Sequence, residues 1–184
     1  MALRLGHRRG RKSVRLNSGV SPAMQITKSS RHSKITGDFA ERLILYWLSK
    51  YGFECAFVDH VGLDIIARNP HTNEVMGVSV KSRSRSAGTE GTSISIPVDQ
   101  LTKLDSACDA FGCTPYFAIV ADQADQISVF ILRKEHLVSI LPPGKSIVDF
   151  KMRPRNVAAY LQDPEIRCFS FKTTTSHWWQ SVQG

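Results

Sequence analysis

Residues 62–84 read GLDIIARNPHTNEVMGVSVKSRS, and the fold is decided there. GLDIIARN and VMGVSVKSRS are β-prone stretches separated by the turn NPHTNE, which predicts a hairpin. Asp64 stands between Leu63 and Ile65 in an otherwise apolar strand. A carboxylate in that setting is costly unless it is paired or holds a cation. In the second arm the two-residue repeat puts Val78 and Val80 on one face and Ser79 and Lys81 on the other. Asp64 and Lys81, from adjacent strands, can then project from one face a few ångströms apart.

Outward from the hairpin the pattern stays regular. Upstream, TGDFAERLILYWLSKYGF places Phe39, Leu43, Tyr46 and Trp47 at spacings of three and four. This predicts a helix with that stripe buried, a cap at Thr36 or Asp38 and a stop at Gly52. ECAFVDH reads as a further strand. Downstream, SISIPV is a short extended stretch, and DQLTKLDSACDAFG predicts a helix that buries Leu101, Leu104 and Ala107 or Cys108 and ends at Gly112. TPYFAIVA is short, apolar and β-prone, so a fully buried strand is expected, with QISVFILRKEHL pairing to it across a polar turn. PPGKSIVDFKMRPRN reads as a loop, VAAYL as a helical turn and IRCFSFKT as a late edge strand. The expected fold class is α/β: a central mixed sheet flanked by helices.

Of the formal charge of +8, six positive charges come from Arg4, Arg8, Arg9, Arg11, Lys12 and Arg15, within an acid-free segment of 23 residues. The high pI therefore describes this arm more than the domain. The segment has no apolar core of a secretory signal. Three readings stay open: a transit peptide, a phosphate-gripping basic arm, or an extension ahead of Met24. The expected organisation is a basic, disordered arm over residues 1–33, one domain over 34–172 and an aromatic tail over 173–184. With 42% hydrophobic residues and no apolar run of the roughly 18 residues needed to span a bilayer, a soluble cytoplasmic protein is expected. Cys55, Cys108, Cys113 and Cys168 lack zinc-site spacing and are expected to be reduced thiols. There is no GxSxG, no GxxxxGK[ST] and no GxGxxG, so a serine hydrolase triad, a phosphate loop and a dinucleotide fold find no support. His60 reads as a turn residue, and Trp178 and Trp179 as aromatics closing over a core or stacking on bases.

A carboxylate that holds Mg²⁺ or Mn²⁺ near a phosphate, with a lysine to steady the developing charge, is the core of a phosphodiesterase site. GDFAE on the first helix, GLDIIA, VSVKSR, a helix opening at Gln100, TPYFAIV and ISVFILRKEHL, in that order, resemble the PD-(D/E)XK nuclease superfamily. Within it they are most similar to the archaeal Holliday-junction-resolvase-like branch. The resemblance spans about Thr36 to Leu137 and implies a restriction-endonuclease-like core. It implies Asp64 as metal ligand, Lys81 as the lysine of the (D/E)XK element, Glu41 as the helical acid, the Val80 carbonyl as a further metal ligand and Gln100 as a polar neighbour. Arg83 and Arg85 suit phosphate contacts, and Gln100 is expected to join them in contacting the nucleic acid. DNA is the implied partner, branched DNA the implied substrate and a homodimer the implied assembly.

At position 79 the pattern calls for Glu or Asp, and this chain has Ser79. A neutral hydroxyl is a weaker ligand for a hard dication. Glu41, or less directly Glu74 in the turn, would have to supply the missing acid. The alternative is a catalytically degenerate chain that binds nucleic acid or a protein partner without cleavage. The bland reading of Asp64 and Lys81 is an ordinary buried ion pair, and that of Glu41 a solvated helix residue.

Overall fold

The computed structural model describes residues 28–173 apart from residues 87, 90 and 124. The basic segment before residue 28 and the two C-terminal tryptophans lie outside the described residues. The elements run α1 His32–Lys50, β1 Glu54–His60, β2 Leu63–Arg68, β3 Val75–Ser84, β4 Ile94–Pro97, α2 Val98–Phe111, β5 Thr114–Gln123, β6 Gln126–Arg133, α3 Lys134–Ile140, β7 Ile147–Phe150, α4 Pro154–Gln162 and β8 Arg167–Lys172. Six strands form one sheet in the order β1-β2-β3-β5-β6-β8, and β4 and β7 form a second, two-stranded one.

The hairpin predicted from residues 62–84 is present: β2 and β3 pair antiparallel from Arg68↔Val75 to Ile65↔Val78. On its other side β3 pairs parallel with β5, from Met76↔Thr114 to Ser84↔Asp122. A parallel neighbour cannot be reached by a tight turn, so β4 and α2 serve as the crossover. The remaining neighbours are antiparallel. The result is an α/β fold with a mixed central sheet, as the sequence predicts.

Both faces of that sheet are buried, which is why β5 and β6 read as unbroken apolar runs. Ala118, Val120, Ile127, Val129 and Ile131 pack with Ala40, Ile44 and Leu48 of α1. Phe117, Ile119, Phe130 and Leu132 turn to the opposite face and join Leu101, Leu104, Ala107 and Cys108 of α2, Leu137 of α3 and Tyr160 of α4. The small sheet adds Ile94, Ile96, Val148 and Phe150 to this second layer. The close fit shows at Gly77, where a Cβ would stand 2.5 Å from Cys108 Sγ and 3.1 Å from Leu63 Cδ1.

Four local expectations need correction. First, α1 buries Ala40, Ile44 and Leu48 and leaves Phe39 and Tyr46 exposed. The segment is apolar on more than one side, so a 3.6-residue repeat fits two stripes. The sheet takes the one led by alanine, whose small side chain permits close approach. Second, α1 starts at His32 with no side-chain cap, and Thr36 Oγ1 donates instead to the His32 carbonyl (2.7 Å), one turn back. Third, the last strand of the QISVFILRKEHL segment stops at Arg133. Lys134–Ile140 is a helix, with Lys134 Nζ on Asp105 of α2 (2.7 Å). Fourth, the segment read as a loop contains β7, paired with β4, and the opening of α4, which has Pro154 in its first turn. Four residues of strand are too few for an alternation to stand out.

The described cysteines are all free thiols. Burial pushes Cys108 up to about 12 and Cys168 to about 11, so neither is thiolate near neutral pH. No helix among the described residues is long and apolar enough to cross a membrane.

Candidate functional site

The pairing of β2 with β3 ends at Ile65↔Val78, and the next residue on each strand is Asp64 and Ser79. Beyond that point the Val80 amide has no β2 carbonyl to meet, and it donates to Asp64 Oδ2 at 2.6 Å. Ser79 Oγ also donates to Asp64 Oδ2, at 3.5 Å. A backbone amide needs an acceptor, and here a side chain supplies it. That requirement accounts for a carboxylate in an apolar strand and fixes Asp64 over the middle of β3. Ser79 is buried at 1% exposure.

Lys81 is two residues further along β3 and half-buried. Its Nζ donates to Gln100 Oε1 (3.4 Å) in the first turn of α2. Burial depresses its pKa, opposed by the charges of Asp64, Glu41 and Asp99, while Lys103 depresses it further. The amine thus lies in the field of three carboxylates with its hydrogen bond directed at a neutral amide. Asp99 itself is engaged with Lys103 (2.7 Å).

Glu41 reaches the group from α1, which is tied to β3 by Ser82 Oγ donating to the Thr36 carbonyl (3.3 Å). Burial raises the pKa of its carboxyl, Asp64 and Asp38 raise it further, and Arg42 and Lys34 pull it down. Glu41 and Asp64 therefore share one electrostatic neighbourhood.

Asp64, Val80, Lys81, Gln100 and Glu41 are drawn together by β2, β3, α1 and α2. Other candidates fall elsewhere. Glu74 is bound to Arg133 Nη2 (2.6 Å) and to the Tyr116 hydroxyl, at the far end of β3, about 20 Å along the strand from Lys81. His60 Nδ1 donates to the Val61 carbonyl (3.0 Å), with the ring edge-on to Phe111. Arg83 is exposed. Arg85 is 9% exposed, and its guanidinium donates to the Thr92 hydroxyl, the Thr92 carbonyl (2.6 Å) and the Ser93 carbonyl (2.8 Å). Its donors close the 86–93 loop from inside the fold. The sequence carries the cations of KSRSRS but not which of them is buried. It also gave no reason to single out Asp99, whose charge acts on Lys81.

For a hard dication the donors at hand are the two carboxylates, the Ser79 hydroxyl and main-chain oxygens. Among the described residues no three His, Cys, Asp or Glu side chains gather into a metal-holding group. Two carboxylates fall short of a zinc or calcium cage, and they fit the mode in which Mg²⁺ keeps several waters and takes its other ligands from substrate phosphate.

The half-buried lysine carries its own test. Lys81→Met removes a charge that burial disfavours, so the variant is expected to be at least as stable as the parent at neutral pH. A lysine with a depressed folded pKa costs stability fully below that pKa and less as pH rises toward its ordinary 10.5. The Tm advantage of the variant should therefore shrink between neutral pH and 10.5. An advantage that grows with pH would contradict the burial account.

No family model and no curated protein matches the chain. Among solved structures it is similar to Hjc, a Holliday junction resolvase from the archaeal hyperthermophile Archaeoglobus fulgidus. The two share 21% identity, over 62% of this chain and 88% of that one, with a TM-score of 0.47.

Proposed function

We propose that the chain is a divalent-metal-dependent DNA endonuclease of the PD-(D/E)XK type. The observation that carries this reading is the group formed where β2 and β3 part. There Asp64 is locked onto the Val80 amide, Glu41 enters from α1, and a half-buried Lys81 lies in the field of both. Asp64 and Glu41 would hold Mg²⁺ or Mn²⁺, with the Val80 carbonyl as a further ligand. Such an ion would polarise the scissile phosphate and lower the pKa of a bound water. The chain's own work is electrostatic. Lys81, held by Gln100 and short of solvent, steadies the negative charge that develops on the phosphoryl oxygens, where a preorganised donor is worth more than in water. Arg83 adds a backbone contact. Branched DNA as the substrate and a homodimer that places two cuts rest on the resemblance of the motifs alone.

Ser79 supports a second reading. It is buried and bonded to Asp64, where the pattern asks for an acid. With one charged ligand fewer, the chain would bind nucleic acid or a protein partner without cutting it. Incubation with plasmid and with four-way-junction DNA in Mg²⁺ or Mn²⁺ decides between the two. Metal-dependent cleavage by the parent, lost in Asp64→Ala and in Lys81→Ala, supports the nuclease. Binding without cleavage supports the second reading, and cleavage that survives both substitutions sinks the site.

A further inference from the structure

The segment that follows β7 carries Lys151, Arg153 and Arg155 at alternate positions, all three exposed. Together with Gly91, Ser93 and Asn156 they line a concavity of about 250 Å³. No acid is among its described lining residues, and none of the three cations forms an ion pair among the described residues. Three like charges around one hollow repel one another, and the arrangement is relieved when an anion sits between them. The floor points the same way. Arg155 and Asn156 belong to the first turn of α4, which opens on Pro154 without a side-chain cap; the Asn156 and Val157 amides donate to the Arg153 carbonyl, so what this terminus adds is the positive end of the helix dipole.

The hollow is also fixed relative to the site. Its Ser93 wall is gripped by Arg85, whose guanidinium holds the Ser93 carbonyl at 2.8 Å. Arg85 follows directly on β3, four residues past Lys81, about 13 Å along an extended chain. β7, which delivers Lys151, pairs with β4, and β4 runs straight into the helix that carries Gln100.

We infer that Lys151, Arg153 and Arg155, with the first turn of α4, form a subsite for the DNA phosphate backbone. The inference rests on the nucleic-acid reading above and adds to it a set of contacts outside the segment that carries the motif resemblance. Its chemistry is sequence-independent: it positions the strand and reads no base.

The test is binding of a labelled four-way junction, without divalent metal, at 50–200 mM NaCl. The full chain is compared with the triple variant Lys151→Gln, Arg153→Gln, Arg155→Gln and with the control Lys50→Gln, Arg68→Gln, Lys172→Gln, which removes equal charge elsewhere. The slope of log affinity against log salt should become shallower by about 0.9 for each lost contact, roughly 0.9 to 2.7 in all, in the triple variant and not in the control. Equal slopes in the two variants, or a parent that does not bind DNA, overturn the inference. Inorganic phosphate at constant ionic strength forms a second arm: binding that is lost in the triple variant while the DNA slope is kept assigns the hollow to a small free anion and also overturns it. Cleavage is scored separately. A changed slope in a chain that never cuts keeps the subsite and sinks the nuclease, and cutting with an unchanged slope does the reverse.

Discussion

Asp64→Ala is expected to reduce junction cleavage about a thousandfold or more, and to lower Tm as well, whereas Asp64→Asn should do the first and largely spare the second. The rate loss follows from removing a charged ligand of an ion that supplies several kcal/mol of transition-state stabilisation, each 1.4 kcal/mol being about tenfold. The stability loss has a separate origin. Asp64 Oδ2 is the acceptor of the Val80 amide at 2.6 Å, where β2 has left the ladder. Alanine leaves that amide without an acceptor, at about 1–3 kcal/mol, or roughly 2–4 °C for each kcal/mol in a chain of this size. Asparagine keeps a carbonyl oxygen for the amide and loses only the charge. An alanine variant as stable as the parent would show that the amide finds another acceptor. Retained cleavage in the asparagine variant would remove Asp64 from the site.

Gly62→Ala should be the most disruptive single methyl group in this part of the fold. Gly62 has φ +92°, and a Cβ there would lie 2.6 Å from the Lys103 carbonyl carbon and 2.7 Å from its oxygen. Those are backbone atoms of α2, so the collision cannot be relieved by turning a side chain. The backbone conformation alone costs a residue with a Cβ about 1–3 kcal/mol, and displacement of the helix adds to it, so a fall in Tm of about 5 °C or more is expected. α2 also carries Gln100, which holds the Lys81 amine at 3.4 Å, so cleavage should fall even in the fraction that folds. Gly37→Ala is the contrast. Nothing lies within 4 Å of its would-be Cβ in the interior of α1, and alanine should stabilise that helix by up to about 1 kcal/mol. If both substitutions shift Tm alike, close approach of β2 to α2 is not what Gly62 provides.

The same contrast separates what the sequence discloses from what it hides. The hairpin was legible because its turn signals and two-residue alternation act within a few residues of each other, and β2 and β3 follow them closely. The face of α1 was not. Its neighbours are set by the sheet, and an apolar segment offers both Phe39–Tyr46 and Ala40–Leu48 to it. β7 becomes a strand only because β4 lies beside it, a partner some fifty residues away that no local pattern announces. Asp64 stood out as an acid among aliphatics, but its bond to the Val80 amide depends on where the hairpin ladder stops. KSRSRS reads as three equivalent cations, and the fold divides them: Lys81 at the site, Arg83 on the surface, Arg85 inside a loop. KMRPRN reads as loop, although three charges at alternate positions around a proline are a visible signal for a basic surface beside a helix start.

The central claim is that Glu41, arriving from a helix, supplies the acid that Ser79 does not. Anomalous diffraction from a crystal soaked in Mn²⁺ tests it most directly, with Glu41→Gln soaked in parallel. The account predicts one anomalous peak bounded by Asp64, Glu41 and the Val80 carbonyl, lost or much weakened in Glu41→Gln. No peak at that position, with the Lys81 amine bonded to Asp64 instead, would contradict it.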